Sequence, residues 1–384
     1  MWFELGEEHR QLRETVRSFG QRSVAPHMAP YEKKEAFPWE IIKEMAGLGF
    51  FGAPFPEEYG GAGMDYLAYA VLVEEIGRAS ASLRSALSAH CGLVASVIYE
   101  LGTEEQKQRF LTPLAKGEKL GCYCLTEPNS GSDAGSLQTR AQRKGESWLL
   151  NGQKIFITNG TVAQVGLVFA RTNSEQGARG ITAFLVEMDR SGITRNPMKG
   201  KLGLRASDTA ELVFEDVEVP DSWRLGEEGK GFTVAMKALD NGRLGVAAGS
   251  VGLAQMALDL AAKYAQEREQ FGRPIGSFQL IQDHIATMAV EVEAARLLTY
   301  KAAATKMAGK RNTQEVCMAK LYASEVAVRS AHKAIQIHGG YGYFEEFGVE
   351  RLLRDSQIAT LYEGSTEIQK LIIAQSVLGL KAFT

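Results

Sequence analysis

The spacing of apolar residues changes twice along the chain, and this constrains the fold more than any other feature. Apolar residues first recur every three or four positions, as in Leu12, Val16 and Phe19, then Ile41, Ile42, Met45 and Leu48. That spacing puts them on one face of a helix. Residues 67–76 and 86–101 repeat the pattern, after a Gly- and Pro-rich break over residues 49–63 that must be loop. Thr103 with Gln106 predicts a capped helix start. Near residue 120 the pattern becomes extended: residues 121–125, 165–171, 181–188 and 211–219 are rich in β-branched and aromatic residues. Asn151-Gly152 between two strand-like runs predicts a hairpin turn. Beyond Gly229 four helical ladders follow. Leu244, Ala247, Val251, Ala254, Leu258 and Ala261 form the first, and Ile281, Ile285, Met288, Val292, Ala295, Leu298 and Ala302 the second. Residues 316–337 and 367–378 form the others. The expected fold is α+β multidomain: an N-terminal α-helical domain (1–119), a middle antiparallel β domain (120–224) and a C-terminal four-helix bundle (225–384). At 384 residues the chain is long enough for all three.

Charge and motifs exclude several classes. Lys and Arg number 43 against 46 Asp and Glu, a net charge of −3, so nucleic acid and anionic membranes are not expected partners. No run of about 18 residues is continuously apolar, so no membrane span is expected. The start M-W-F-E-L-G-E-E-H-R is acidic and lacks the apolar core of a signal peptide. Cys91, Cys122, Cys124 and Cys317 form no C-x-x-C, and no His stands at zinc-ligand spacing, so no metal site is expected. Four free thiols fit a reducing, cytoplasmic setting. The dinucleotide motif G-x-G-x-x-G, the phosphate loop G-x-x-x-x-G-K-[ST], H-E-x-x-H and G-x-S-x-G are all absent.

Three segments carry chemistry. C-Y-C-L-T-E-P-N-S-G-S-D-A-G-S (122–136) ends a strand in hydroxyls and exposed backbone donors suited to a polar cofactor, or to a plain Asx turn. Q-I-H-G-G-Y-G-Y-F-E-E-F-G-V-E-R-L-L-R-D (336–355) allows close backbone approach at Gly339 and Gly340, as a helix C-cap also would. I-A-T-L-Y-E-G-S-T-E-I-Q (358–369) sets Glu363 after an apolar run, just before a helix start. A carboxylate in apolar surroundings has a raised pKa and makes a useful base.

Together, and in this order, these segments resemble the acyl-CoA dehydrogenase family along essentially the whole chain. Leu125 to Asp133 fits the family pattern L-[ST]-E-x-x-[GSAN]-G-[ST]-D. Gln336 to Asp355 fits its glycine-rich pattern. Tyr362-Glu363-Gly364 is similar to its Y-E-G-T, with Ser365 in place of Thr. Residues 266–279, Q-E-R-E-Q-F-G-R-P-I-G-S-F-Q, are similar to R-x-x-F-G-x-x-[IL]-x-x-x-Q.

The resemblance implies FAD as cofactor, an acyl-CoA substrate, electron-transfer flavoprotein as electron acceptor and a homotetramer. It implies oxidation of the Cα–Cβ bond to a trans-2-enoyl-CoA, with Glu363 taking the α-proton and a hydride passing to the flavin. FAD-binding roles are implied for Tyr123, Leu125, Thr126, Ser132, Phe156 and Thr158. They are also implied for Ser365, Thr366 and Glu367 beside the base. Arg268, Phe271, Gln279, Gln336, Gly339 and Gly340 resemble residues that reach a neighbouring subunit's FAD. Phe156 stands where the family usually has Trp. For substrate, the resemblance points to Arg243 with Asp240, to Ser132, and to Gly364 at the thioester. Some members carry their base immediately before that Arg, at a position that is Gly242 here. S-L-R-S-A-L-S (82–88) and the terminal L-K-A-F-T resemble glutaryl-CoA dehydrogenases, in which an arginine at the Arg84 position pairs with the substrate's far carboxylate. Arginine is mostly exposed in proteins, so the expectation for Arg84 is an outward or protein-paired side chain and a fatty acyl substrate, with glutaryl-CoA as the alternative.

Overall fold

The computed structural model describes residues 4–382; the terminal Phe383 and Thr384 of the glutaryl-like ending lie outside them. Helix α1 (Glu7–Phe19) begins with Glu7 and Glu8 and ends with Arg17, charges that complement its dipole. α2 (Met28–Lys34) and α3 (Trp39–Gly47) follow, α3 burying Ile41, Ile42 and Met45. Asp65 caps α4 (Tyr66–Ala79) by accepting from the Ala68 N–H at 2.7 Å. Ser80 then caps α5 (Ala81–Ser88). The helix runs on through a wide π-type turn, Ala89–Ala95, into α6 (Ser96–Leu101), and everything from residue 81 to 98 is buried. The Thr103–Gln106 capping box forms and opens α7 (Glu104–Gln106); α8 (Thr112–Ala115) ends the helical unit.

The middle of the chain folds as β1 (Gly121–Cys124), β2 (Arg140–Lys144), β3 (Ser147–Thr158), β4 (Val165–Arg171), β5 (Ile181–Glu187), β6 (Ile193–Pro197) and β7 (Thr209–Pro220). They form one sheet in the order β1-β4-β2-β3-β7-β6, with β5 also on β4. The expected antiparallel sheet is in fact mixed. β1 runs parallel to β4 along its whole length, and β2 meets β4 in parallel at Arg140 and Arg171. A hairpin separates β1 from β4 in sequence, and a connection that long permits a parallel pair. The turn expected at Asn151-Gly152 does not form. Both residues lie inside β3, where a bulge shifts its register against β7 between Leu150 and Gly152. The hairpin turns instead at Gly145-Glu146, where Gly145 has φ +61°. Cys122 and Cys124 share a strand face as free thiols 3.6 Å apart.

The C-terminal unit is α9 (Gly231–Glu267), the short ribbon β8 (Glu269–Gln270) and β9 (Arg273–Pro274), α10 (Gln279–Met307), α11 (Thr313–His338), α12 (Val349–Gln357) and α13 (Thr366–Leu378). The four expected helices are present, with α12 added between the third and the last. The helical stretches Ala81–Leu101 and Gly231–Glu267 are long and apolar enough to cross a membrane. Their most apolar windows, however, are 100% and 72% buried within the protein itself. Burial explains the apolarity without lipid.

α4, α5 and α9 pack closely because α9 presents Gly242, Gly245, Gly249 and Gly252 along one side. A Cβ at Gly252 would collide with the Glu74 backbone, and one at Gly245 with the Ser88 side chain. Buried Glu74 ties α4 to the bundle by accepting from Arg296 Nε at 3.0 Å and from the Tyr300 hydroxyl at 2.7 Å.

Candidate active site

Glu363 sits in the turn between α12 and α13, in the left-handed region at φ +53°, followed by Gly364 at φ +95°. Such a backbone costs about 1–3 kcal/mol for a non-glycine residue and persists only where its surroundings impose it. Here they do. Arg243 Nε donates to the Glu363 carbonyl at 3.2 Å, and Gln369 Nε2 reaches the same carbonyl at 3.2 Å and that of Gly364 at 3.0 Å. Lys320 Nζ donates to the Gly364 carbonyl at 2.7 Å. Ser365 caps α13 and so fixes where the turn ends.

The Glu363 residue is half-buried, but its Oε2 is sealed from solvent and has no hydrogen-bond partner. Burial pushes the carboxyl up to about 7, against the opposing charges of Arg84, Arg243 and Lys320. The carboxylate occupies space that a side chain at position 242 would fill: a Cβ on Gly242 would overlap Glu363 Oε2 and press on Leu93. The second possible base position and the Glu363 carboxylate therefore compete for one volume.

Arg243 is buried and held by Asp240 at 2.6 Å, which in turn accepts from the Thr313 hydroxyl at 2.7 Å. Arg84 overturns the expectation of an outward side chain. It is 3% exposed, donates to the Tyr362 hydroxyl and to Ser88 Oγ at 3.4 Å, and its Nε has no partner. No protein carboxylate pairs with it among the described residues. Gly249 makes this possible, since a Cβ there would run into the Arg84 side chain. Tyr69, on α4, adds another sealed hydroxyl without a partner in the charge field of Arg84 and Glu363. Unpartnered buried polar atoms in one place are rare in folded proteins and call for an explanation.

The sheet supplies a second group. Tyr123 on β1 donates to the Ala235 carbonyl at 3.2 Å and lies in the field of Glu363. Leu125 and Thr126 follow at the strand end, and the Ile155 N–H donates to the Thr126 carbonyl at 2.9 Å, drawing β3 alongside. Next to it Phe156 has φ +60° and leaves its ring exposed; Thr158 is half-buried. A buried ion pair, Lys154 to Glu127 at 2.8 Å, fastens the loop that carries exposed Ser132, with Glu127 also accepting from the Thr139 N–H at 2.9 Å.

Arg268, Phe271, Gln279, Gln336, Gly339 and Gly340 form a separate group, all exposed on the single chain. Arg268, Gly339 and Gly340 line a groove of about 760 Å³ floored by Tyr264 and His338. Among the described residues, none of them hydrogen-bonds Glu363.

Three domain descriptions of one family match the sequence in order: Acyl-CoA dehydrogenase, N-terminal domain, over residues 6–118, the middle domain over 122–217, and the C-terminal domain over 229–378. The chain belongs to the acyl-CoA dehydrogenase family. Among its curated relatives, a short-chain specific acyl-CoA dehydrogenase of Clostridium acetobutylicum is 48% identical, the match covering 98% of this chain and all of that one. Among solved structures, a glutaryl-coenzyme A dehydrogenase in complex with glutaryl-CoA superposes with a TM-score of 0.96 at 43% identity, covering 99% and 98% of the two chains. A chain from work on the electron transferring flavoprotein of Acidaminococcus fermentans superposes at 0.97 and 44%, covering 98% and 100%. The dehydrogenase is thus an oxidoreductase acting on CH–CH bonds, in a family of flavoproteins.

Sequence reasoning placed Glu363, Gly364, Arg243 and Asp240 together, and the structure brings them together. It missed Lys320, Gln369 and Tyr69. Lys320 had a usable signal: it stands on the apolar ladder of Val316, Ala323 and Ala327, where a lysine must find a buried partner.

Proposed function

We propose that this dehydrogenase binds FAD and oxidises the Cα–Cβ bond of a short acyl-CoA, with Glu363 as the base that removes the α-proton. The observation that carries this reading is the sealed, unpartnered Oε2 of Glu363, held at the end of a clamped turn. The chain's residues fit a flavin. Phe156 offers an exposed aromatic face beside the Thr126 backbone, Thr366 Oγ1 is sealed and unpartnered next to the base, and Gly131 has open space where a Cβ would stand. Bound FAD supplies the hydride acceptor. The protein's own part is to strip water from Glu363, fix its carboxylate, and present the Glu363 N–H to the thioester carbonyl, where charge develops as the proton leaves. Electron-transfer flavoprotein as the acceptor rests on the family likeness and on the Acidaminococcus neighbour. A homo-oligomer, a tetramer by the same likeness, is supported by the exposed Phe271, Tyr343 and Phe344.

One observation favours a dicarboxylic substrate over a plain fatty acyl group. Arg84 is buried beside the base with no carboxylate of its own, and a buried cation is costly until paired. A carboxylate at the far end of the acyl chain would pair with it, as glutaryl-CoA could. Anaerobic bleaching of the flavin by a panel of acyl-CoAs tests both points. Glu363→Gln should keep its flavin but lose at least about 10²–10⁴-fold in reduction rate. Glutaryl-CoA should be preferred to butyryl-CoA, with Arg84→Ala erasing most of that preference, because a charged hydrogen bond is worth about 1.5–3 kcal/mol. Equal use of both thioesters, unchanged by the Arg84 substitution, would leave the plain short-chain reading standing.

A further inference from the structure

Lys320 lies behind Glu363 with none of its surface exposed, yet among the described residues no carboxylate is bonded to it. Its Nζ is bonded to a backbone carbonyl, that of Gly364, directly after the base. Burying an ammonium for one neutral acceptor is unfavourable, so the placement requires a second return. That return is electrostatic: Glu363 holds Lys320 charged against the cost of burial, and Lys320 favours the ionised form of Glu363. Arg243 from α9, Cys317 from α11 itself and Glu367 from α13 also face Lys320, while Arg84, Arg243, Tyr69, Tyr123 and Tyr362 face Glu363.

The backbone gives the second argument. Glu363 and Gly364 both have positive φ, and their two carbonyls take four hydrogen bonds from Arg243, Gln369 and Lys320. Arg243 and Gln369 lie on α9 and α13; Lys320 alone anchors the turn to α11. Without it the Gly364 peptide keeps a single donor and can rotate. Rotation of that peptide swings the Gly364 carbonyl and the Ser365 N–H and frees the turn that holds the Glu363 side chain in place.

We propose that Lys320 is a positioning residue for the Glu363 base, locking the Gly364 peptide and setting the charge environment in which the base ionises. This rests on Glu363 being the base. Burial lowers Lys320 to about 8, so it is charged through neutral pH, where Glu363 ionises. Loss of that positive charge raises the Glu363 pKa, so the acidic limb of the reaction must move to higher pH.

The test uses holoenzyme carrying Lys320→Met, Lys320→Gln or Lys320→Arg. Anaerobic flavin reduction by butyryl-CoA and glutaryl-CoA is followed across pH. The protonated-carboxyl infrared band that disappears in Glu363→Gln reports the base independently of turnover. The Met variant should reduce its flavin about 10–100-fold more slowly, the scale of a small misplacement of a reacting group. Its acidic limb and infrared titration should both move up, while affinity for an enoyl-CoA product stays within about threefold. Arg should restore part of the rate, and the limb with it. The Gln variant applies the same criteria if Met does not fold. A normal rate per bound flavin with an unmoved infrared titration overturns the proposal, even if thermal stability falls. Wild-type reduction by Glu363→Gln would instead refute the base assignment, leaving the infrared titration to decide whether Lys320 sets the Glu363 environment.

Discussion

The fold does not favour the ionised form of Glu363. Its carboxyl is raised from 4.5 to about 7 by burial, so the folded protein holds the proton more tightly than the unfolded chain. Stability is therefore greatest below pH 4.5 as far as this group is concerned, and is lost as pH rises toward 7. Glu363→Gln removes that loss. Its melting temperature should exceed the wild type's by a margin that grows between pH 5 and pH 8, reaching up to about 3 kcal/mol in stability. An equal margin at both pH values, seen by calorimetry, would show that the carboxyl is not raised. With Glu363 in its proposed role, activity should follow the opposite course, rising through pH 7 as the carboxylate forms. At this scale the sequence was half legible. Glu363 could be named because its neighbours form a pattern. Arg84 could not be turned inward from sequence, because the space it fills is made by Gly249, far away in the chain and on another helix.

At the scale of elements, the long helices were legible because they bury one face, and a stripe repeated over several turns leaves little doubt about period. β2 and β6 were missed for the converse reason: R-A-Q-R-K and I-T-R-N-P keep most side chains in solvent, so no alternation shows. Asn151-Gly152 misled because the same glycine freedom that makes a hairpin turn also makes a bulge, and only the packing of Gly152 against Thr139 decides which. Between elements, polar contacts matter more than their number suggests. Glu74 on α4 is buried and serves Arg296 and Tyr300 on α10 at once. Glu74→Ala leaves a guanidinium and a phenol without it and should cost about 3 kcal/mol, read as a lower urea midpoint; Glu74→Gln should cost less. An unchanged midpoint for the alanine variant would mean that the contact contributes nothing.

For the molecule as a whole, six of the fifteen residues implied for FAD are exposed away from Glu363, and Arg268, Gly339 and Gly340 among them line one groove. An exposed group of this kind makes sense as a contribution to another subunit. The exposed Arg268 guanidinium lies over the Tyr341 ring at 5.5 Å, and among the described residues it makes no side-chain hydrogen bond or ion pair. Arg268→Ala should thus leave the melting of the apo-subunit unchanged while lowering flavin occupancy and weakening the oligomer together. Absorbance and light-scattering mass check this, and a variant with full flavin and unchanged mass would separate Arg268 from the cofactor. Spacing alone does not show which subunit a residue serves, because it carries no information about a second copy; the reading of this group came only from the family resemblance.

The glycines of α9 have a consequence for how the enzyme comes into being. Each glycine inside a helix costs about 1 kcal/mol relative to alanine, and Gly242, Gly245, Gly249 and Gly252 fall within three turns. That stretch is a poor helix by itself and closes only where α4 and α5 lie against it. The α4–α5–α9 wall behind Glu363 should therefore form in the same cooperative step that docks the N-terminal domain. Amide exchange around residue 248 would slow only at that step, and a chain that has failed to dock leaves Glu363 without the wall that seals its carboxyl from water.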